Sequence, residues 1–304
     1  VLGHALLGHI AAAHGKRFGV VTEDGQRYDC VIRGKQGGVA CHDAVEITPI
    51  GATEGVIERI LPRRNLLYRS DELRSKLIAA NVDLAVLVVA ASPAPLPELL
   101  DRCLIATEIA AGVATGVTPV VATIEVLIVI NKADLPETKA YAEQLQYYAR
   151  LGYRVLSTSA HGDLSALKAH LKDRVSVLVG ASGVGKSTLL NALCPEANAV
   201  TGTISTALDA GRHTTTHTRS HALPGGGLLI DSPGMQAFGL AHLTVDSLTN
   251  AFPEFTPLIG QCRFYNCRHL KEPGCAITAA VEAGTINRQR WRLYRTLREE
   301  VKAG

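Results

Sequence analysis

Gly180-Ala181-Ser182-Gly183-Val184-Gly185-Lys186-Ser187-Thr188 fits the phosphate-binding pattern GxxxxGK(S/T) and sits where that pattern has a mechanical meaning. Val175 to Val179 before it reads as a buried strand, and Thr188 to Leu193 after it reads as the start of a helix. Glycines let backbone approach a pyrophosphate closely, while successive amides and the helix N-terminus point at its oxygens. Lys186 then reaches the β and γ phosphates, and the Ser187 hydroxyl ligates magnesium. A plain glycine-rich turn needs neither the lysine nor the hydroxyl in this register, so the stretch predicts a bound nucleoside triphosphate.

Working back from this loop, Leu84 to Ala90, Val126 to Ile130 and Arg154 to Ser157 read as strands, with helices at Pro97 to Ala111 and Glu137 to Leu151 between them. Such alternation specifies a mainly parallel sheet covered by helices, whose ligands bind at the carboxyl ends of the strands. Directly after the strand ending at Ile130 comes Asn131-Lys132-Ala133-Asp134. The Asp134 carboxylate can accept from both N1–H and the 2-amino group of guanine, whereas adenine has no donor at N1. Asn131 can bond N7 and hold the loops together, and the Lys132 stem can lie along the base. One strand later, Ser159-Ala160 stands where a backbone amide can meet the guanine O6.

Forward from the loop, Gly211-Arg212-His213-Thr214-Thr215-Thr216-His217-Thr218 is a polar segment from which Thr215 is expected to close onto magnesium and the γ-phosphate. The next strand, Leu228 to Ile230, ends in Asp231-Ser232-Pro233-Gly234. Asp231 is expected to hold magnesium through water, and the Gly234 amide to sense the γ-phosphate; hydrolysis would then release both segments. The guanine motif precedes the phosphate loop, the reverse of the usual order, so the domain reads as circularly permuted. Adjacent domain termini make this permutation physically tolerable. It also runs the switch at Gly234 directly into the C-terminal segment.

That segment holds Cys262, Cys267, His269 and Cys275 in a C-x4-C-x-H-x5-C spacing, which predicts one closed, structural zinc site. Cys30, Cys41, Cys103 and Cys194 are read as buried and unliganded. The last helix, Asn287 to Lys302, carries Arg288, Arg290, Arg292, Arg295 and Arg298 as candidate RNA contacts around a packing stripe of Trp291, Tyr294, Leu297 and Val301. At the other end, five short strands are expected in Phe18 to Thr22, Arg27 to Arg33, Val39 to His42, Val45 to Thr48 and Gly55 to Ile60. They suggest a small barrel of the oligonucleotide-binding (OB) type, with Lys16, Arg17, Arg27, Arg33 and Lys35 along a groove and Phe18 and Tyr28 for stacking. An SH3-like adaptor barrel with no RNA contact is the alternative. Pro62 to Asn65 reads as a linker.

The 304 residues are enough for two or three domains, and the 47% hydrophobic content is that of a globular chain. No apolar run approaches the ~18 residues of a membrane span. Val1 to Gly15 reads as no secretion signal, and the odd cysteine count suits a reducing compartment, so a cytoplasmic location is expected. The net charge of +3 is uneven: residues 1–70 carry 9 Lys/Arg and 7 Asp/Glu, residues 71–259 carry 13 and 17, and residues 260–304 carry 9 and 4. Basic ends around an acidic middle point to a polyanionic partner held by the outer domains.

GASGVGKST after NKAD, with GRHTTTH, DSPG, a preceding small barrel and the following C-x4-C-x-H-x5-C, together resemble the ribosome small-subunit-dependent GTPase A family of bacteria. The resemblance covers nearly the whole chain. It implies an α/β circularly permuted P-loop GTPase domain (66–240), an N-terminal OB-fold barrel (1–65) and a C-terminal zinc-binding, mostly helical domain (241–304). It implies a GTPase that binds the small ribosomal subunit and its rRNA in late maturation, with Mg2+ accompanying GTP or GDP; a monomer is expected, since nothing in the sequence suggests an obligate dimer. Many GTPases place a water-orienting glutamine just after the DxxG glycine, where this chain has Met235. The resemblance favours His213 for that role, with His217 or ribosomal RNA as competitors. Gly112 to Glu125 departs from the family by its irregular link, and the N-terminus lacks the basic tail of many members. A nucleotide-gated switch that binds only proteins is the alternative function.

Overall fold

Leu6–His14 forms the first strand, β1, of a closed barrel completed by β2 (Arg17–Thr22), β3 (Arg27–Ile32), β4 (Ala44–Pro49) and β5 (Glu54–Ile60). The computed structural model describes residues 5–14, 16–34, 38–70, 75–110, 123–197, 218–234, 238–240 and 243–303. Strand order is β1-β2-β3-β5-β4, with β4 returning to β1 and β3 parallel to β5. Alternate side chains point inward, so Ile10, Phe18, Val20, Tyr28, Cys30, Val45, Ile47 and Ile57 fill the interior. A register shift between Ile10 and Ala12 bends β1 and lets it serve both β2 and β4.

Three details of the barrel correct the expectations. The first strand lies in the stretch that the sequence left unassigned, because small residues and histidines show little hydrophobic alternation. The expected strand at Val39 to His42 is absent: Cys41 makes a single bridge to Ala79, and His42 sits at φ 64°, which interrupts extended backbone. Phe18 and Tyr28 are buried, 8% and 7% exposed, and so belong to the core rather than to a stacking surface.

Pro62 to Asn65 is a bonded seam rather than a free linker. Asn65 is 1% exposed; its Nδ2 donates to the Val82 carbonyl and its Oδ1 accepts from the Val82 amide, both at 2.8 Å. The Arg63 guanidinium grips the buried Asp43 carboxylate at 2.6 and 2.7 Å. A hairpin of β6 (Leu66–Ser70) and β7 (Ser75–Ala80), not foreseen from the sequence, follows.

Next comes a parallel sheet of β8 (Leu84–Val89), β9 (Glu125–Ile130), β10 (Arg154–Ser157), β11 (Val175–Gly180) and β13 (Leu228–Asp231), with β12 (Arg219–Ala222) antiparallel at its edge. The order is β10-β9-β8-β11-β13-β12, and β12 also meets β1, joining sheet and barrel. β8 is apolar throughout because both its faces are covered. Leu84, Val86 and Val88 pack with α3 (Ser165–Leu171) and α4 (Lys186–Leu193). Ala85 and Leu87 turn to the opposite core, with α1 (Pro97–Ala110) and α2 (Thr138–Arg150).

That second core continues into the C-terminal segment, which contains α5 (Val245–Asn250), α6 (Ala276–Glu282) and α7 (Arg288–Ala303). Thr244 and Ser247 form a reciprocal capping box at the start of α5, satisfying donors that the helix leaves open. Phe252 stacks on Phe255 with centroids 4.8 Å apart, and both meet the Tyr294 ring edge-on. No helix among the described residues is long and apolar enough to cross a membrane.

Candidate nucleotide and zinc sites

β11 delivers its last residue, Gly180, against β8 so closely that a Cβ there would lie 2.3 Å from the Val88 carbonyl oxygen. Gly185, at φ 95°, caps α4 in the left-handed region, and a Cβ there would lie 2.3 Å from Asn131 Nδ2. Glycine is therefore required at both positions. Between them Ala181, Ser182, Gly183 and Val184 turn the chain, and Lys186, Ser187 and Thr188 open the helix with its positive dipole end toward the loop.

Lys186 is buried, and its Nζ donates to the carbonyls of Gly180 at 2.9 Å and Ala181 at 2.8 Å. Burial pulls its ammonium down to about 8, partly offset by the Asp231 charge. Asp231, at the end of β13, is pushed up to about 6 by burial against the pull of Lys186. Its Oδ1 is buried and has no hydrogen-bond partner. A buried carboxylate oxygen without a donor suits a cation, so Asp231 and the Ser187 hydroxyl are the side chains able to hold Mg2+ beside a polyphosphate.

Asn131, 1% exposed, ties three loops together: Nδ2 donates to the Val184 carbonyl at 2.9 Å and Oδ1 accepts from the Ala160 amide at 3.2 Å. The amide has a second Nδ2 hydrogen with which to meet a ligand acceptor. Lys132 donates from Nζ to the Gly183 carbonyl at 2.9 Å and to the Ser92 carbonyl at 2.7 Å. The amide of Ala133 donates to the Thr158 carbonyl at 3.0 Å. Asp134 is exposed, and the Ser159 hydroxyl holds its carboxyl below the usual range. It is thus an ionised acceptor at the mouth of the cleft.

Gly234 closes over the phosphate loop: a Cβ there would lie 3.1 Å from Ser182 Cα and 3.2 Å from Lys186 Nζ. The Ser232 hydroxyl, 1% exposed, donates to the Leu178 carbonyl at 2.6 Å and fastens the start of this segment to β11. Neither Ser232 nor Ser92 was singled out from the sequence. Ser92 lies in the proline-rich loop, and a contact through its carbonyl leaves no side-chain signature. His213, Thr215, His217, Met235 and Gln236 lie outside the described residues, as do Lys35 and residues 111–122.

In the C-terminal segment the donor atoms of Cys262, Cys267, His269 and Cys275 all lie within 4.8 Å of one another. Cys262 Sγ is 3.5 Å from His269 Nδ1 and 3.9 Å from Cys275 Sγ, and Cys275 Sγ is 3.6 Å from the same nitrogen. Zn–S bonds of ~2.3 Å and Zn–N bonds of ~2.0 Å in a tetrahedron imply edges close to these. The set fits zinc with no open position. Cys30, Cys41, Cys103 and Cys194 are buried free thiols.

Several arginines expected at an RNA surface are committed elsewhere. Arg290 is 1% exposed and bonded to Asp101 and Glu254, while Arg298 is buried and donates to the Tyr294 hydroxyl at 2.8 Å. Arg17 pairs with Asp29 and Arg33 with Glu58, each at 2.8 Å. Arg288 and Arg292 are exposed on α7, and Arg295 lies over the Trp291 ring at 4.9 Å.

The sequence profile of the RsgA GTPase family matches residues 60–241. A relative from Nitrosospira multiformis, named small ribosomal subunit biogenesis GTPase RsgA, is 48% identical over 293 residues, which is 96% of this chain and 90% of the relative. A Neisseria meningitidis relative of the same name is 47% identical over 292 residues, covering 96% and 91%. Among solved structures, YjeQ from Thermotoga maritima superposes with a TM-score of 0.71 at 29% identity, covering 99% of this chain and 100% of that one. YloQ, described as a circularly permuted GTPase, gives 0.68 at 28% identity, covering 99% and 96%.

Proposed function

The chain belongs to the RsgA GTPase family, and from that premise we propose that it hydrolyses GTP to GDP and phosphate on the small ribosomal subunit during late maturation, the hydrolysis timing its release. The observation that carries this reading is the pair of hydrogen bonds made by the Asn131 side chain, which gathers the NKAD loop, the phosphate loop and the Ser159-Ala160 loop into one cleft. Each lies at the carboxyl end of a strand.

Within the cleft, Asp134 accepts the two guanine donors, and the Lys132 stem flanks the base. Lys186 exchanges the carbonyls of Gly180 and Ala181 for phosphate oxygens, gaining charged partners for neutral ones. Ser187 and Asp231 would hold Mg2+, which would neutralise charge on the transferred phosphoryl group when bound. Gly234, already against Ser182, is placed to report the γ-phosphate through its amide. We assign Thr215 to the same phosphate and His213 to positioning of the attacking water, on sequence grounds. Cys262, Cys267, His269 and Cys275 hold one structural zinc. The protein acts as a cytoplasmic monomer, with rRNA as the polyanion met by its basic ends.

Sedimentation with purified small subunits tests the proposal. The protein with a non-hydrolysable GTP analogue is expected to co-sediment and the GDP form to remain in solution. Equal sedimentation of the two forms, or none, contradicts it. His213→Ala is expected to lower subunit-stimulated kcat with little change in nucleotide affinity; an unchanged kcat removes it from the mechanism.

A further inference from the structure

Burial of Phe18 and Tyr28 takes base stacking away from the barrel, and the exposed aromatics lie in the zinc module instead. Tyr265 is 102% exposed and its neighbour Phe264 is 42% exposed. They stand in the four-residue loop Arg263-Phe264-Tyr265-Asn266, whose ends are the zinc-site residues Cys262 and Cys267. We infer that Tyr265, backed by Phe264 and Arg263, is a stacking platform for an unpaired base of RNA; this rests on the ribosomal reading above.

The loop is held before any partner arrives. The Arg263 amide donates to the Gly274 carbonyl at 3.0 Å, and the Cys267 amide to the Phe264 carbonyl at 3.2 Å. Gly274, at φ 74°, lets the Arg263 stem pass so close that a Cβ would lie 2.9 Å from Arg263 Cβ. The Arg263 guanidinium then lies 5.5 Å from the centre of the Phe264 ring. A ring presented on a fixed loop has little ordering entropy left to lose on binding.

Charge selects the occupant. Arg263, Arg268 and Lys271 are exposed, and none of the ion pairs among the described residues uses them. The one acid of residues 259–275, Glu272, accepts from the amides of Arg268, Leu270 and Lys271 at 3.0–3.1 Å, which holds its carboxyl down to about 2. An aromatic face amid unpaired cations suits a base with its phosphates, since every base has a π-face and the cations meet the backbone. An apolar protein pocket would take the ring without needing the charge.

The test compares zinc-loaded, full-length variants, each bound to a non-hydrolysable GTP analogue, for affinity to purified small subunits over a salt series. Stacking of one base predicts that Tyr265→Ala weakens binding by about 5- to 150-fold without altering the salt slope, while Tyr265→Phe retains the affinity. Tyr265→Leu is expected to fail like Ala, and Arg263→Ala to lower the slope by about one. Wild-type affinity in Tyr265→Ala overturns the platform, and wild-type affinity in Tyr265→Leu overturns it in favour of a protein pocket. In both cases wild-type binding leaves the ribosomal reading standing. Absence of wild-type binding overturns the ribosomal reading and the platform with it.

Discussion

Arg290 on α7 reaches the Asp101 carboxylate on α1 at 2.6 Å, with the two side chains 1% and 7% exposed. Glu254 takes the other edge of the guanidinium, and the Tyr148 hydroxyl donates to Asp101 Oδ1 at 2.8 Å. The C-terminal helix is thus anchored on the GTPase domain through one buried cation between two acids. Burial raises the Asp101 carboxyl even against the pull of Arg290, so the site depends on that cation. Removing one partner of a buried pair costs about 3–5 kcal/mol, because a buried charge is left without compensation. Arg290→Ala is expected to lower stability by that amount, read from the urea midpoint of the fluorescence of Trp291, the chain's one tryptophan. A midpoint unchanged from wild type contradicts the anchor.

The role of Asp134 is checked by changing the base it accepts. Two hydrogen bonds to a charged acceptor contribute about 1.5–3 kcal/mol each. Asp134→Asn is therefore expected to weaken GTP by about 100-fold or more in equilibrium titration. Xanthosine triphosphate, with an oxygen where guanine has its 2-amino group, accepts from the asparagine amide and is expected to bind this variant better than GTP does. Equal GTP affinity in the variant and the wild type refutes the assignment.

The polar constellation was legible because each of its motifs carries its chemistry in a few adjacent residues. Lys186 and Asp134 need only a strand shortly before them, and β8 and β9 announce themselves through the apolar runs Leu84 to Ala90 and Val126 to Ile130. The barrel was harder. Its alternation marks two faces of each strand but does not say which one is inside, so Phe18 and Tyr28 were read outward and lie inward. β1 is stabilised by partners on both sides, β2 and β4, and its own sequence carries little strand signal. Arg290 looked like its exposed neighbours Arg288 and Arg292, because its partners Asp101 and Glu254 are far away in the sequence.

Zinc should hold the C-terminal loop together. Three thiols and one imidazole with donors within 4.8 Å repel or compete when the metal is withdrawn. A strong chelator, or Cys275→Ser, is expected to lower the melting temperature and release one equivalent of zinc per chain, measured by a colorimetric zinc assay. Less than half an equivalent from freshly purified wild-type protein contradicts a structural site.

Acid should act on the protein through His42. Burial, with the His9 ring 5.1 Å away, pulls its imidazole down to about 4 from 6.5, and its Nδ1 has no partner. The Ala80 backbone bond and the Asp83 charge pull the other way, while the Arg64 charge adds to the lowering, each weaker than burial. The folded state therefore binds fewer protons here than the unfolded chain between pH 6.5 and about 4, so this contribution to stability is full above 6.5 and is lost as pH falls through that window. His42→Asn, which tolerates the φ of 64°, is expected to flatten the urea-midpoint profile between those limits. An unchanged slope assigns the acid sensitivity to other groups.

GTP turnover by the purified protein, alone and with small or large ribosomal subunits, tests the central claim most directly. A slow intrinsic rate raised strongly by small subunits and left unchanged by large ones is the predicted result. Turnover that ignores small subunits, in a protein that still binds GTP, contradicts the claim.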